Sequence, residues 1–179
     1  LAYVHPLQSC GPNAAGSAME ACGYDLTTTT RAGYRVPADD LMTEWFNNPR
    51  NYPLMRAAGI DPEREPNNRH ARLYPLCVRE LWGIRATWLT GFSAVMAIRH
   101  LRRSGTVQAC LSPPGHYIAL VGYDEATWEL IGNDSWTTRP RTPALPPRGF
   151  NFRLTEAERN SLVAEAVFYY PLGELGDAG

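Results

Sequence analysis

The chain has no lysine; all 17 of its basic residues are arginine. That excludes a Schiff-base lysine and a Walker-type phosphate lysine within these residues. Net charge is also nearly absent, at -1, so no single-sign field points to nucleic acid or to an anionic membrane as partner. No apolar run approaches the length that spans a bilayer, and no charged-then-apolar leader opens the chain. The chain begins close to its most informative cysteine, so the missing leader says little about compartment. Internal repeats are absent. There are 4 cysteines, at positions 10, 22, 77 and 110, with wide, irregular spacing and no C-x-x-C, which argues against a zinc site. An even count permits a disulfide framework, but Cys22, Cys77 and Cys110 sit in apolar stretches and read as core thiols.

What is present suits one globular domain over residues 1–179, long enough to bury a proper core. The stretch that organises it is Gln8-Ser9-Cys10-Gly11-Pro12-Asn13-Ala14-Ala15. Pro12 fits the first turn of a helix, where its missing N–H has no partner to lose. Ala14, Ala15, Ala18, Met19 and Cys22 then recur at helical spacing, predicting a buried helix over 11–22 that Gly23 closes. Cys10 falls at the helix N-terminus, where backbone N–H groups and the helix dipole favour a thiolate. A lone cysteine before a helix is more often a small core hydrophobe; the rest of the chain raises the reactive reading.

Thr-rich residues 24–37 read as loop. Asp39 and Asp40 begin a second helix with Leu41, Met42, Trp45 and Phe46 as its apolar stripe. Residues 47–68 are rich in Pro and Asn and read as a surface excursion with a short helix at 52–58. His70 lies at its end, in a basic polar loop where a histidine is usually just solvated. A third helix runs from Leu76 to Trp82, a half-buried strand over 84–89, and a helix from the N-cap Ser93 to Arg103, stopped by Gly105. Thr106 to Leu111 is a buried strand. Residues 117–123 and 128–132 form a hairpin. Thr155 and Glu158 make a capping box, and Ala164 to Tyr170 is a last strand. Helices come early and strands late, which predicts an α+β fold with an antiparallel sheet.

His116 opens that hairpin. A turn centred between Glu125 and Ala126 pairs residue 116 with about residue 135, which brings Asp134 beside His116. A carboxylate there fixes the imidazole tautomer and stabilises its charged form. Cys10, His116 and Asp134 together follow the nucleophile, base and orienter pattern of covalent catalysis.

Three segments carry a resemblance: Cys10 to Met19, Gly115-His116-Tyr117-Ile118-Ala119-Leu120-Val121-Gly122-Tyr123-Asp124, and Asn133-Asp134-Ser135-Trp136. Together they resemble the papain-like cysteine peptidases, in their bacterial C39-like branch, over most of residues 4–136. The resemblance implies a papain-like domain in which a nucleophile on a helix packs against a sheet bearing His and Asp. Cys10 would be the nucleophile, His116 the general base and then acid, and Asp134 the orienter, with Asn133 the other possible orienter. Trp136 would cover the His–Asp bond. No metal or organic cofactor is implied, and the partner is a peptide or protein substrate. The family's oxyanion-hole glutamine lies five or six positions before its cysteine, where this chain has Val4 and His5. Gln8 is assigned that role here, with His5 or backbone alone as alternatives.

The same machinery serves isopeptidases, cell-wall amidases, acyltransferases and transglutaminase-like enzymes, and a retired fold could serve as a binding module. A leader-peptidase domain of a transporter is a further alternative. The loops 47–72 and 137–149 are the expected cleft walls, and their arginines point weakly to acidic or carboxylate-bearing substrates.

Overall fold

The computed structural model describes residues 10–29, 33, 35–64, 70–113, 115–134 and 151–173. The predicted α+β architecture is present. A six-stranded antiparallel sheet is ordered β3-β8-β4-β5-β6-β7, and helices cover both of its faces. Its strands are β3 (Ala86–Thr90), β4 (Thr106–Leu111), β5 (His116–Tyr123), β6 (Leu130–Asn133), β7 (Phe152–Arg153) and β8 (Leu162–Tyr169). A separate two-stranded ladder, β1 (Thr28–Thr29) with β2 (Arg35–Val36), lies in the segment read as loop.

The first helix, α1 (Cys10–Ala21), starts one residue earlier than expected and so includes the cysteine. It is buried on more than one face: Gly11, Pro12, Ala14, Ala15, Gly16, Ala18 and Met19 are all inaccessible. The small residues let it lie between β4 and β5 on one side and α2 (Ala38–Asn47) on the other. Met42, Trp45 and Phe46 of α2 complete that layer, joined by Leu73, Tyr74, Cys77 and Val78. The last three belong to α4 (Tyr74–Trp82), which Gly83 ends in the left-handed region at φ 68°. The 47–64 stretch is less of a surface excursion than expected. It holds α3 (Tyr52–Ala57), and its Met55 and Ile60 are fully buried in the α1 layer.

On the opposite face α5 (Ala94–Leu101) packs on β4 and β5, capped by Ser93 Oγ, which accepts from the Met96 N–H at 3.4 Å. Gly105 does not act as the expected helix stop. Ser104 takes the left-handed φ of 61°, while a Cβ at Gly105 would collide with the His100 ring. The capping box forms as predicted at the start of α6 (Glu156–Asn160): the Thr155 hydroxyl accepts from the Glu158 N–H and the Glu158 carboxylate from the Thr155 N–H.

Two buried polar residues on β4 fix α1 to the sheet. Thr106 Oγ1 donates to the Ala18 carbonyl at 2.7 Å and meets Cys22 Sγ at 3.0 Å. Gln108 Nε2 donates to the Gly11 carbonyl at 3.0 Å, and its Oε1 accepts from the Tyr169 hydroxyl at 2.9 Å. Both ends of α1 are therefore tied to one strand. Among the described residues no helix is long and apolar enough to cross a membrane.

Replacing Gln108 with Leu keeps the volume but leaves the buried Tyr169 hydroxyl without its acceptor. The expected loss is about 2 kcal/mol of unfolding free energy, read from the urea midpoint, with weakened reactivity at Cys10 because the first turn of α1 is no longer held.

Candidate active site

Three of the four singled-out side chains fall within the described residues, and they meet. Cys10 is the first residue of α1, His116 the first of β5, and Asp134 directly follows β6. The His116 Nε2–H donates to Asp134 Oδ1 at 2.5 Å. His116 is 3% exposed and Asp134 7%, so water competes little for this bond. With Nε2 engaged, the hydrogen bond between the His116 ring and the Cys10 thiol falls to Nδ1. Gln8 and Trp136 lie outside the described residues.

The hairpin that delivers the pair differs in detail from the expected one. A turn centred between Glu125 and Ala126 would put Ala119 opposite Gly132, but its partner is Asn133. The loop is wider, closed by the Asp124 N–H to the Glu129 carbonyl at 2.9 Å, with Asp124 Oδ1 accepting from the N–H groups of Ala126 and Thr127. The register then shifts between Leu120 and Gly122. The contact survives because Asp134 reaches His116 from beyond the end of the paired segment. Asn133, the alternative orienter, is engaged elsewhere: its Nδ2 donates to Ser17 Oγ at 2.9 Å and its Oδ1 accepts from the Asn151 N–H at 2.9 Å.

The electrostatics favour a charged pair. Burial pushes the Cys10 thiol up, but the hydrogen bond from His116, the backbone N–H of Tyr117, the His116 charge and the N–H of Gly11 outweigh it, leaving the thiol below its ordinary value. For His116, burial pulls downward and is overcome by the hydrogen bonds to Asp134 and Cys10 and by their charges; its pKa is raised to about 9. A thiol lowered and an imidazole raised, in contact, describe a thiolate–imidazolium pair that titrates as a unit.

Two contributors were not read from sequence. The Tyr117 N–H, which stabilises the sulfur, is a backbone group and leaves no side-chain signal. Gln108 did leave one: it is the amide in the otherwise apolar core of Thr-Val-Gln-Ala-Cys-Leu. The four cysteines are all free thiols. Cys22 and Cys77 are buried as expected, while Cys110 is only half-buried. Among the described residues no group of three or more His, Cys, Asp or Glu is arranged to hold a metal ion.

No known protein-family model matches the chain, and no curated protein matches it at a significant level. The chemistry of the site therefore rests on its residues and their geometry.

The raised imidazole and lowered thiol give a pH expectation. Cys10 should be alkylated by iodoacetamide well below the ordinary thiol range near pH 8.5, with selectivity over the other three cysteines. His116→Ala removes the hydrogen bond and the charge that oppose burial most, leaving only the Tyr117 and Gly11 N–H groups, so the reactive form should appear only at higher pH. The raised His116 pKa also adds stability that is fully present below its ordinary value near 6.5 and is lost as pH rises through about 9. Equal alkylation profiles in the wild type and in His116→Ala would exclude the ion pair.

Proposed function

We propose that this protein is a papain-like thiol peptidase of the bacterial C39-like type, cleaving peptide or isopeptide bonds. The observation that carries the reading is the continuous line Cys10–His116–Asp134, with the thiol at a helix N-terminus and the His–Asp bond buried. These are the parts that attack on an amide requires.

The thiolate of Cys10 adds to the carbonyl carbon, and the charge moves to the carbonyl oxygen. Donors for that oxyanion are the N–H of Cys10 and, on the family's pattern, the Gln8 side chain. The imidazolium of His116 gives its proton to the nitrogen of the leaving amine as the C–N bond breaks, and a thioester on Cys10 remains. Neutral His116 then takes a proton from water as the water oxygen attacks the thioester; the C–S bond breaks, the carboxylic acid is released, and the Cys10 thiolate is restored beside the His116 imidazolium. Asp134 holds the ring through Nε2, so that Nδ1 faces the sulfur throughout.

The proposal sets the order of variant activities on a peptide substrate. Cys10→Ala should be inactive and unlabelled by an E-64-type epoxide. Asp134→Ala should lose about 10²- to 10⁴-fold in kcat/KM, and Asn133→Ala should stay within about threefold because Asn133 does not touch the ring. Gln8→Ala should lose about 10²-fold; unchanged turnover would remove Gln8 from the oxyanion hole. The pH–rate profile should fall on its alkaline side near 9, where His116 gives up the proton that the leaving amine needs. A loss confined to Asn133→Ala would overturn the role given to Asp134.

A further inference from the structure

The sheet surface under α1 continues beyond the nucleophile. Thr106 and Gln108 alternate along β4 toward α1 and bond to it, at Ala18 and Gly11 respectively. Cys110 is the next residue in that alternation, and it is only half-buried. It pairs with Tyr117 of β5, whose N–H stabilises the Cys10 sulfur. On its other side is β8: Ala109 pairs with Ala166 and Leu111 with Leu162, so the register shift leaves residues 163–165 facing Cys110, and the Glu165 charge reaches its thiol. Glu165 in turn pairs with Thr90 of β3. Adjacent strands are about 4.8 Å apart, so Glu165 stands two strands, roughly 10 Å, from the Tyr117 backbone beside the nucleophile. The electrostatics agree: after burial, the charges of Cys10 and Glu165 both raise the Cys110 thiol, to about 11.

Glu165 is half-buried on this surface. Its Oε2 accepts from the indole N–H of Trp88 at 3.1 Å, which holds the carboxylate in place, and Trp88 is itself half-buried. Among the described residues no arginine pairs with Glu165 and no group bonds its Oε1. A carboxylate fixed next to an aromatic ring, one residue's reach from a nucleophile, matches a long cationic side chain. The ring takes the aliphatic stem or stacks with the cation, and the carboxylate takes the charge.

We propose that Glu165, positioned by Trp88, selects substrates with Arg or Lys at one of the two residues preceding the scissile bond. This rests on the peptidase reading and names its substrate class. The preference is opposite in sign to the acidic substrates to which the loop arginines point only weakly in the sequence, and it comes from the sheet.

The test compares fluorogenic peptides with Arg, Leu or Glu at the residue before the scissile bond and at the one before that, on wild type, Glu165→Gln and Glu165→Arg. Gln keeps the size and can still accept the Trp88 N–H. Wild type should prefer Arg to Leu by about tenfold or more in kcat/KM at one of these positions. Glu165→Gln should erase that preference, and Glu165→Arg should favour Glu. An Arg-to-Leu ratio unchanged within twofold in Glu165→Gln overturns the proposal.

A second measurement does not depend on peptide cleavage. Methanethiosulfonates carrying an ethylammonium or an ethylsulfonate group are reacted with the protein, and Cys10 modification is read by peptide mapping. The cationic-to-anionic rate ratio should drop about fivefold in Glu165→Gln. If no peptide is cleaved, the peptidase reading fails, and this ratio alone decides the subsite: a drop supports it and an unchanged ratio overturns it.

Discussion

The attachment of α1 to β4 governs everything at the site. A helix with seven inaccessible residues would settle wherever apolar packing is best, because hydrophobic contact carries no direction. Thr106 and Gln108 supply the direction. Each bonds a backbone carbonyl of α1, one near each end, and each is buried where a lost bond is costly. The helix can then neither slide nor rotate on the strand, and its first residue is delivered to the first residue of β5. Gln108 is itself held by Tyr169 of β8, so the position of the thiol depends on three elements far apart in sequence.

The charge balance at Cys10 depends on that placement. Burial works against a thiolate, and for Cys77, which has only burial, the thiol is pushed far up. Cys10 differs because the first turn of α1 and the first residues of β5 turn donors toward it: the Gly11 N–H, the Tyr117 N–H and the His116 ring. Asp134 acts on the sulfur through that ring. A small rotation of α1 would leave Cys10 in the situation of Cys77.

Much of this was legible in the sequence where the signal is local. The helix after Cys10, the capping box at Thr155 and Glu158, the strand from Thr106 to Leu111 and the hairpin after His116 all depend on residues within a few positions of one another. The His116–Asp134 contact was readable for the same reason, since one hairpin joins them, and an error of one residue in the register did not break it. Cys110 and Glu165 were not legible as neighbours of the site. Their proximity depends on β8 entering the sheet between β3 and β4, with a register shift between Ala109 and Leu111, and no local pattern encodes that crossover. The one trace was a carboxylate inside the strand Leu-Val-Ala-Glu-Ala-Val-Phe-Tyr.

The position of β8 sets the order in which the site is assembled. It is the last of the described strands to be synthesised, yet it sits inside the sheet and bonds on both sides. While the ribosome is still making the preceding residues, β3 and β4 have no partner between them and Gln108 lacks the Tyr169 hydroxyl. A nascent chain thus exposes Cys10 early but acquires the surroundings that lower its thiol only once β8 has been made.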